Sequence, residues 1–515
     1  MELHERIFEL ALSRSFFFPS NEPYGGSAGF YDYGPVGVLI KRKMENLWRE
    51  TFIKSEGFHE VETSIITPEP VLVASGHVAS FADPVVECTK CNTRVRADTL
   101  AEEHHYSRLH GEKWDGKLET LDKVLAERKV ACPKCRGAFG PASMFNLMFK
   151  TGIGGEKTPA YCRPETAQGI FTAFPRLFKN HGTKLPLAIG QVGRSFRNEI
   201  SPRKGLVRMR EFTQMELEYF FNPSQPDFEG FGKVRDEKMR MMVKGGVSLM
   251  SADELVRKKI AANGIMAYFL AREWEFYKKV GIREADMHFR VLDGNEVPHY
   301  SKGNIDMEVR TSFGTIETIG NAYRTDFDLT QHAKQSGRDM AVFVEEEKQK
   351  VMPHVFELSM GVDRLFFCIL EHCFREKDAR SARAEGTGHG DGPASDAKPG
   401  RDWEWFDFPP AIAPYHVAIF PLMKKDKLDV KATEIADMLR KAGLDVAYRD
   451  SGSIGRRYAR ADEIGIPYAM TIDYQTLEDG TVTIRYRNDG GQERVKITEC
   501  EAKLRDGIRN GKVTL

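Results

Sequence analysis

Residues 187–221 read LAIGQVGRSFRNEISPRKGLVRMREFTQMELEYFF, two apolar-rich runs around a basic turn, which is the pattern of a β-hairpin. The expected strands are Leu187–Glu199 and Val207–Phe221. Alternate residues of a strand share a face, so Arg197 and Glu199 lie together. On the second strand Arg208, Arg210, Phe212, Gln214 and Glu216 share one parity, while Met209, Met215 and Leu217 take the other. One face is then a ladder of cations, an aromatic ring, an amide and a carboxylate. It is either a solvated face of salt-bridge pairs or a nucleotide platform. On a platform arginines hold a polyphosphate, Phe212 stacks on a base, and carboxylates bind an amine or a metal. Residues 190–216 carry a net charge of +3 in a chain whose total is zero.

The same alternation recurs downstream. In Phe356-Glu357-Leu358-Ser359-Met360-Gly361, the residues Glu357, Ser359 and Gly361 share a face, and Gly361 lets backbone approach a ligand closely. Arg364 falls in the first turn of the next helix, where a cation opposes the dipole. It serves either a ligand or a salt bridge to Glu357 or Asp363. Glu317, mid-strand in Gly314-Thr315-Ile316-Glu317-Thr318-Ile319, reads as an inward carboxylate suited to a metal or ligand. Strands are expected at 305–310, 314–319 and 354–360, and a helix over 362–375. Upstream, Ile40, Met44, Leu47, Trp48 and Phe52 mark an amphipathic helix over 38–53, followed by a strand from Glu60 to Ile66. Ser251-x-x-Glu254 is a capping box opening one of two helices in 252–280.

The chain has 515 residues, with 75 basic and 75 acidic side chains, 41% hydrophobic and 29% charged. This excludes wholesale disorder and any nucleic-acid or membrane binding driven by overall charge. No stretch has the length and apolarity of a membrane span, and the charged start lacks a secretory signal, so a cytoplasmic protein is expected. Eight cysteines include Cys88/Cys91 and Cys132/Cys135, two Cys-x-x-Cys units that suggest metal in a reducing compartment. They could bind structural zinc, with His104, His105 and His110 as competing ligands, or be four reduced thiols. Residues 377–401 are Gly/Pro/Ala/Ser-rich linker. Beyond Pro414 strands and helices alternate, which implies a small, largely parallel sheet.

Phe196-Arg197-Asn198-Glu199 with Arg208-x-x-x-Phe212 resembles the second signature motif of class II aminoacyl-tRNA synthetases. Gly361-Val362-Asp363-Arg364 resembles the end of the third, and Val61 through Pro68 the first. Arg163-Pro164-Glu165-Thr166-Ala167-Gln168-Gly169, Asn146-Leu147-Met148-Phe149 and Phe30-Tyr31-Asp32-Tyr33-Gly34-Pro35 narrow this to a resemblance to homodimeric glycyl-tRNA synthetases of archaeal and eukaryotic type. The resemblance implies an α+β fold, with an antiparallel sheet flanked by helices. Its catalytic domain would cover 1–82 and 146–376, with a helical insertion at about 225–300. A cysteine-rich insertion over 83–145, a linker over 377–410 and an anticodon-binding α/β domain over 411–515 complete it.

The resemblance also implies roles. ATP would be held by Arg197, Asn198, Glu199, Val207, Arg208, Met209, Arg210, Glu211, Phe212, Glu317, Thr318, Gly361, Val362, Asp363 and Arg364. Within this set Arg197, Arg364 and Glu317 would be catalytic, with Glu317 on magnesium. Glycine would be held by Arg96, Glu165, Phe212, Thr213, Gln214, Met215, Glu216, Glu357, Leu358, Ser359, Met360 and Gly361. The partners implied are ATP, glycine, tRNA(Gly) and a second copy of the chain, whose interface would use the helix at 38–53. Trp48 and its neighbours could equally be ordinary core. The alternatives are a class II synthetase for alanine, serine, threonine or proline, or a non-catalytic synthetase-like nucleic-acid-binding protein.

Overall fold

The computed structural model describes every residue except Met1, 105–113, Glu156, Ser201, Arg203, His299 and 378–402. The expectations for His105, His110, Arg203 and the linker beyond Lys377 lie outside the described residues. Among the described residues, no helix is long and apolar enough to cross a membrane.

Nine strands form the central sheet: β1 (His59–Glu60), β2 (Leu187–Phe196), β3 (Glu211–Phe221), β4 (Lys238–Val243), β5 (Gly246–Ser251), β6 (Met287–Val291), β7 (Asn304–Thr311), β8 (Gly314–Thr325) and β9 (His354–Gly361). Their order is β5-β4-β6-β7-β8-β9-β3-β2-β1. All neighbours are antiparallel except β1 with β2 and β4 with β6. The stretch 225–300 is therefore not a helical insertion. It holds the helix Ala252–Arg257, opened by the expected Ser251/Glu254 capping box, and a longer helix at Gly264–Lys279, but it also supplies three strands of the sheet.

Alternation in the strands sends Met215, Leu217, Leu358 and Met360 into one large core. Helix α1 (Gly37–Arg49) ends in a π-turn over Glu50–Lys54. Its Ile40, Met44 and Trp48, with Phe52 of the turn, are buried in that same core, so the apolar stripe is consumed inside the chain rather than left for a partner. Helices α2 (Ala167–Asn180), α3 (Gly264–Lys279), α4 (Phe327–Ser336) and α5 (Val362–Cys373) pack around the sheet. Stacking of Phe174 on Phe220, at 4.2 Å between ring centroids, ties α2 to β3.

Several expected elements differ in extent: the first hairpin strand ends at Phe196, not Glu199, and the strand expected over 314–319 runs on to Thr325. The second hairpin strand starts at Glu211, not Val207. The Arg210 carbonyl still accepts across the hairpin from the Arg197 N–H, but its own N–H goes to the Gly29 carbonyl, so from here the backbone turns from the hairpin to the N-terminal segment. The strand expected over 60–66 is split: β1 pairs with β2, and Ile66–Pro68 pairs with Ala160–Cys162 in another sheet. Residues 403–410 are not linker, because Trp403–Phe406 pairs with Phe374–Lys377 and Phe406 and Phe408 are fully buried.

The C-terminal sheet comprises β10 (Val417–Pro421), β11 (Val446–Tyr448), β12 (Tyr468–Ile472), β13 (Thr481–Tyr486) and β14 (Gln492–Lys496), in the order β11-β10-β12-β13-β14. Its first three strands are parallel and its last two pair antiparallel, so it is mixed rather than largely parallel. It docks on the central unit through Arg14–Glu463 and Lys43–Asp445 ion pairs.

One tie spans three segments. The buried Asp363 accepts from Tyr33 Oη at 2.6 Å and from the Thr213 N–H at 2.6 Å. Tyr33→Phe deletes a hydrogen bond to a charged group. It is expected to lower stability by about 1.5–3 kcal/mol, read as a lower urea midpoint of the central unit.

Candidate active site

The face of the central sheet opposite the core carries the polar residues in rows fixed by strand register. Gln191, Glu216, Ser359, Gly320 and Asp306 lie side by side across β2, β3, β9, β8 and β7. Glu218, Glu357 and Ala322 form the next row, and Gln214 pairs with Gly361 in the row on the other side.

Three glutamates named from sequence meet around Ser359. Glu216 accepts from the Thr166 N–H (2.8 Å), the Thr166 hydroxyl, Gln214 Nε2 (2.8 Å) and Ser359 Oγ (2.6 Å). Burial, then the charge of Glu165, raises its pKa above the usual carboxylate range. Burial also pushes Glu165 upward, but His77 (Nε2 to Oε2 3.4 Å), Arg324 and Gln168 Nε2 (2.8 Å) outweigh it and hold that carboxyl ionised well below its ordinary value. Glu357 pairs with Arg324 Nη1 at 2.9 Å, and burial with the two neighbouring glutamates pushes it up to about 7. The arrangement is a buried acidic cluster.

Arg324 was missed from sequence. It is buried, gives two hydrogen bonds to Asp328 (2.7 and 2.8 Å) and one to Glu357, and lies 4.1 Å from the Tyr300 ring centroid. Thr166 and His77 were also missed. Glu218, fully buried with both carboxylate oxygens unpartnered, was missed too, although its parity with Glu216 was a usable signal.

The basic end of this face is more open. The Arg197 guanidinium sits between Phe81 and Phe212, 5.4 and 5.3 Å from their ring centroids, and donates to the Pro164 carbonyl. Arg364 donates to the carbonyls of Val207 (3.2 Å) and Glu317 (3.1 Å), with the Glu317 carboxylate 3.6 Å away; it pairs with neither Glu357 nor Asp363. Arg208 lies 3.7 Å from Glu199, and Glu211 3.6 Å from Arg194. Asn198 is held by its backbone N–H on the Leu147 carbonyl. A Cβ on Gly361 would meet nothing nearer than the Arg364 side chain at 3.6 Å, so the fold itself leaves room there.

Several sequence expectations change. Glu317 is not inward: its side chain is 53% exposed on the open face beside Arg364. The Arg210 side chain serves the carbonyls of Glu199 and Ala28, bracing the loop. Asp363 and the Thr213 N–H are spent on each other, and Thr318 Oγ1 is spent on the Met307 carbonyl. Val207, Met209, Met215, Leu358, Met360 and Val362 are core side chains, so only their backbone can face a ligand. Arg96 directs its fork at Asp83 (2.7 Å) and Asp98 (2.6 and 3.1 Å) rather than at the pocket.

Cys88, Cys91, Cys132 and Cys135 converge, with all four sulfurs within 4.8 Å of one another. The separations Cys88–Cys135 (3.5 Å) and Cys91–Cys132 (3.7 Å) are close to the roughly 3.8 Å edge of a tetrahedral site with ~2.3 Å zinc–sulfur bonds. His104, which is described, is outside the cluster.

Residues 151–373 match the family described as tRNA synthetase class II core domain (G, H, P, S and T), and residues 416–507 match the anticodon binding domain. The chain is 37% identical to the glycine–tRNA ligase of Methanocaldococcus jannaschii, with 99% of each chain covered. It is likewise 37% identical to those of Pyrococcus furiosus (98% of this chain, 99% of the relative) and Methanothrix thermoacetophila (98% and 97%). Among solved structures, the prolyl-tRNA synthetase of Cryptosporidium parvum shares the fold, with a TM-score of 0.57 at 13% identity over 98% of this chain and 75% of that one. With a synthetase core, an anticodon-binding unit and this identity over nearly its whole length, the chain belongs to the glycine–tRNA ligase family of class II aminoacyl-tRNA synthetases.

Proposed function

We propose that the acidic pocket around Ser359 holds glycine while the Arg197–Phe212–Arg364 surface holds ATP, and that the chain joins the two and passes glycine to tRNA(Gly). The observation that carries this is the convergence of Glu165, Glu216 and Glu357 on a space bounded by Ser359. The carboxylates of Glu165, Glu216, Glu357 and Asp328 outnumber the buried guanidiniums of Arg324 and Arg163 and leave negative charge that an ammonium group would offset.

The glycine carboxylate oxygen attacks the α-phosphorus of ATP and diphosphate leaves. The terminal ribose hydroxyl of the tRNA then attacks the carbonyl carbon of the adenylate and AMP leaves. No protein nucleophile is needed; Arg197 would stabilise charge at the α-phosphate, and Phe212 with Arg364 would sandwich the adenine. Glu199 would read the exocyclic amine, and Arg208 with Arg364 would hold the γ-phosphate end. Magnesium, bound through the exposed Glu317 carboxylate and substrate phosphates, would neutralise phosphate charge. Zinc on the four cysteines would clip the 83–145 insertion. The domain division is drawn as catalytic (1–82 and 146–376), cysteine-rich (83–145) and anticodon-binding (411–515). A homodimer is proposed, supported by the exposed Ile65, Ile66 and Val73 beside the first signature strand. The free thiols suit the cytoplasm.

ATP–pyrophosphate exchange with a panel of amino acids tests the reading: glycine alone should support it, and exchange with another amino acid or none overturns it. Arg197→Ala should lower the exchange rate roughly 100-fold with glycine binding little changed. Ser359→Gly should admit alanine detectably while ATP binding stays intact, since a methyl group is excluded by lack of space. It should also weaken glycine, because Ser359 donates to Glu216. Glu357→Gln should weaken glycine without admitting alanine. Glu357 holds a proton below about 7. The KM for glycine should therefore fall as pH rises through that value, and the Gln variant should flatten the profile. Metal analysis should find about one zinc per chain, lost in Cys132→Ser while the catalytic core stays folded.

A further inference from the structure

Asp306 is a carboxylate for which the fold supplies no partner. It is 7% exposed, and among the described residues no hydrogen bond or ion pair reaches its side chain. Its row places it beside Gly320, whose other neighbour is Ser359. A Cβ built on Gly320 would lie 3.9 Å from Asp306 Oδ1, so the carboxylate looks over a side-chain-free gap onto the open face of the sheet. The nearest cation, Arg290, is engaged by Glu308 (2.8 Å) and Glu296 (2.8 Å), and His288 by Glu308 (3.0 Å). Burial, then the charge of Glu317, pushes Asp306 up to about 7, which is a cost to the empty protein. Neither carboxylate oxygen is sealed in the interior, so both can accept a hydrogen bond from a molecule on that open face.

We propose that Asp306 binds ribose hydroxyl groups and makes the site selective for a ribonucleotide. A carboxylate offers two acceptor oxygens, and a vicinal diol offers two O–H donors. Phosphate without a bridging cation is disfavoured by Glu308 and Glu317 alongside, and the ammonium of glycine is provided for on β3 and β9 and by Glu165. The inference rests on the proposed function for the base and amino-acid positions. Two riboses come to this face, that of ATP and that of the terminal adenosine of tRNA.

The test compares Asp306→Asn with the unaltered enzyme in two assays. If the ATP ribose is held, the KM for ATP in glycine-dependent exchange rises about tenfold or more, and the variant no longer distinguishes ATP from 2′-deoxy-ATP or 3′-deoxy-ATP. If the tRNA ribose is held, exchange is unchanged, single-turnover transfer from the adenylate falls by a similar factor, and tRNA ending in 2′-deoxyadenosine gives no further loss. In both cases the melting temperature stays equal or rises, because the unpartnered charge is gone. The proposal is overturned if neither assay changes, if deoxy substrates suffer as much as ribose ones, if only the magnesium requirement shifts, or if the melting temperature drops. Absence of glycine-dependent exchange in the unaltered enzyme would instead overturn the proposed function.

Discussion

Negative charge packed under one sheet face, outnumbering the buried guanidiniums of Arg324 and Arg163 that meet it, is the constraint from which the site follows. Arg324 is saturated by Asp328 and Glu357, while Glu165, Glu216 and Glu218 crowd the same space. In a low-dielectric interior such a set is held only by dense hydrogen bonding and by letting some carboxyls rise toward protonation. Both are seen: Glu216 collects donors from Thr166, Gln214 and Ser359, and Glu357 and Glu218 are pushed upward by burial first and by their neighbours second. The residual charge is a standing attraction for a small cation.

The sheet works as a ruler for that constraint. Antiparallel register puts Glu216 beside Ser359 and Glu218 beside Glu357, and the same alternation buries Met215, Leu217, Leu358 and Met360 on the other side. Core packing and pocket geometry are thus one property of two strands, and a shift of one residue would invert both. The nucleotide end is built differently. Its arginines stand on the hairpin turn and a helix start, braced by carbonyls of Pro164, Val207 and Glu317, and Arg210 and Gly29 pin the turn to the N-terminal segment. The arginines thus sit on the more exposed elements, and the clustered glutamates on the paired strands.

Local pattern was enough for much of this chain. Alternation in 211–221 and 354–361 assigned Phe212, Gln214, Glu216, Glu357 and Ser359 to one face, and the two Cys-x-x-Cys units marked the sulfur cluster, because these signals depend only on the period of a strand or on spacing of a few residues. What failed depended on distant chain. The hairpin turn is wider than its sequence suggests because Gly29 captures Arg210. The helix at 37–49 looked available to a partner until the core around it was seen to close within the chain. Glu317 and Arg324 show the limit most plainly. Counting by twos from Glu317 along β8 sends Arg324 to the apolar face. Opposite Met307 and Glu308, however, Thr318 is an extra residue, and this bulge reverses the count so that Gly320, Ala322 and Arg324 join Glu317 on the polar side. The sequence by itself determined which residues alternate and which chemistry they carry. Where the alternation slips, and hence which cation meets the buried glutamates, was decided only by pairing with another strand, since a bulge is a relation between two strands and not a property of one.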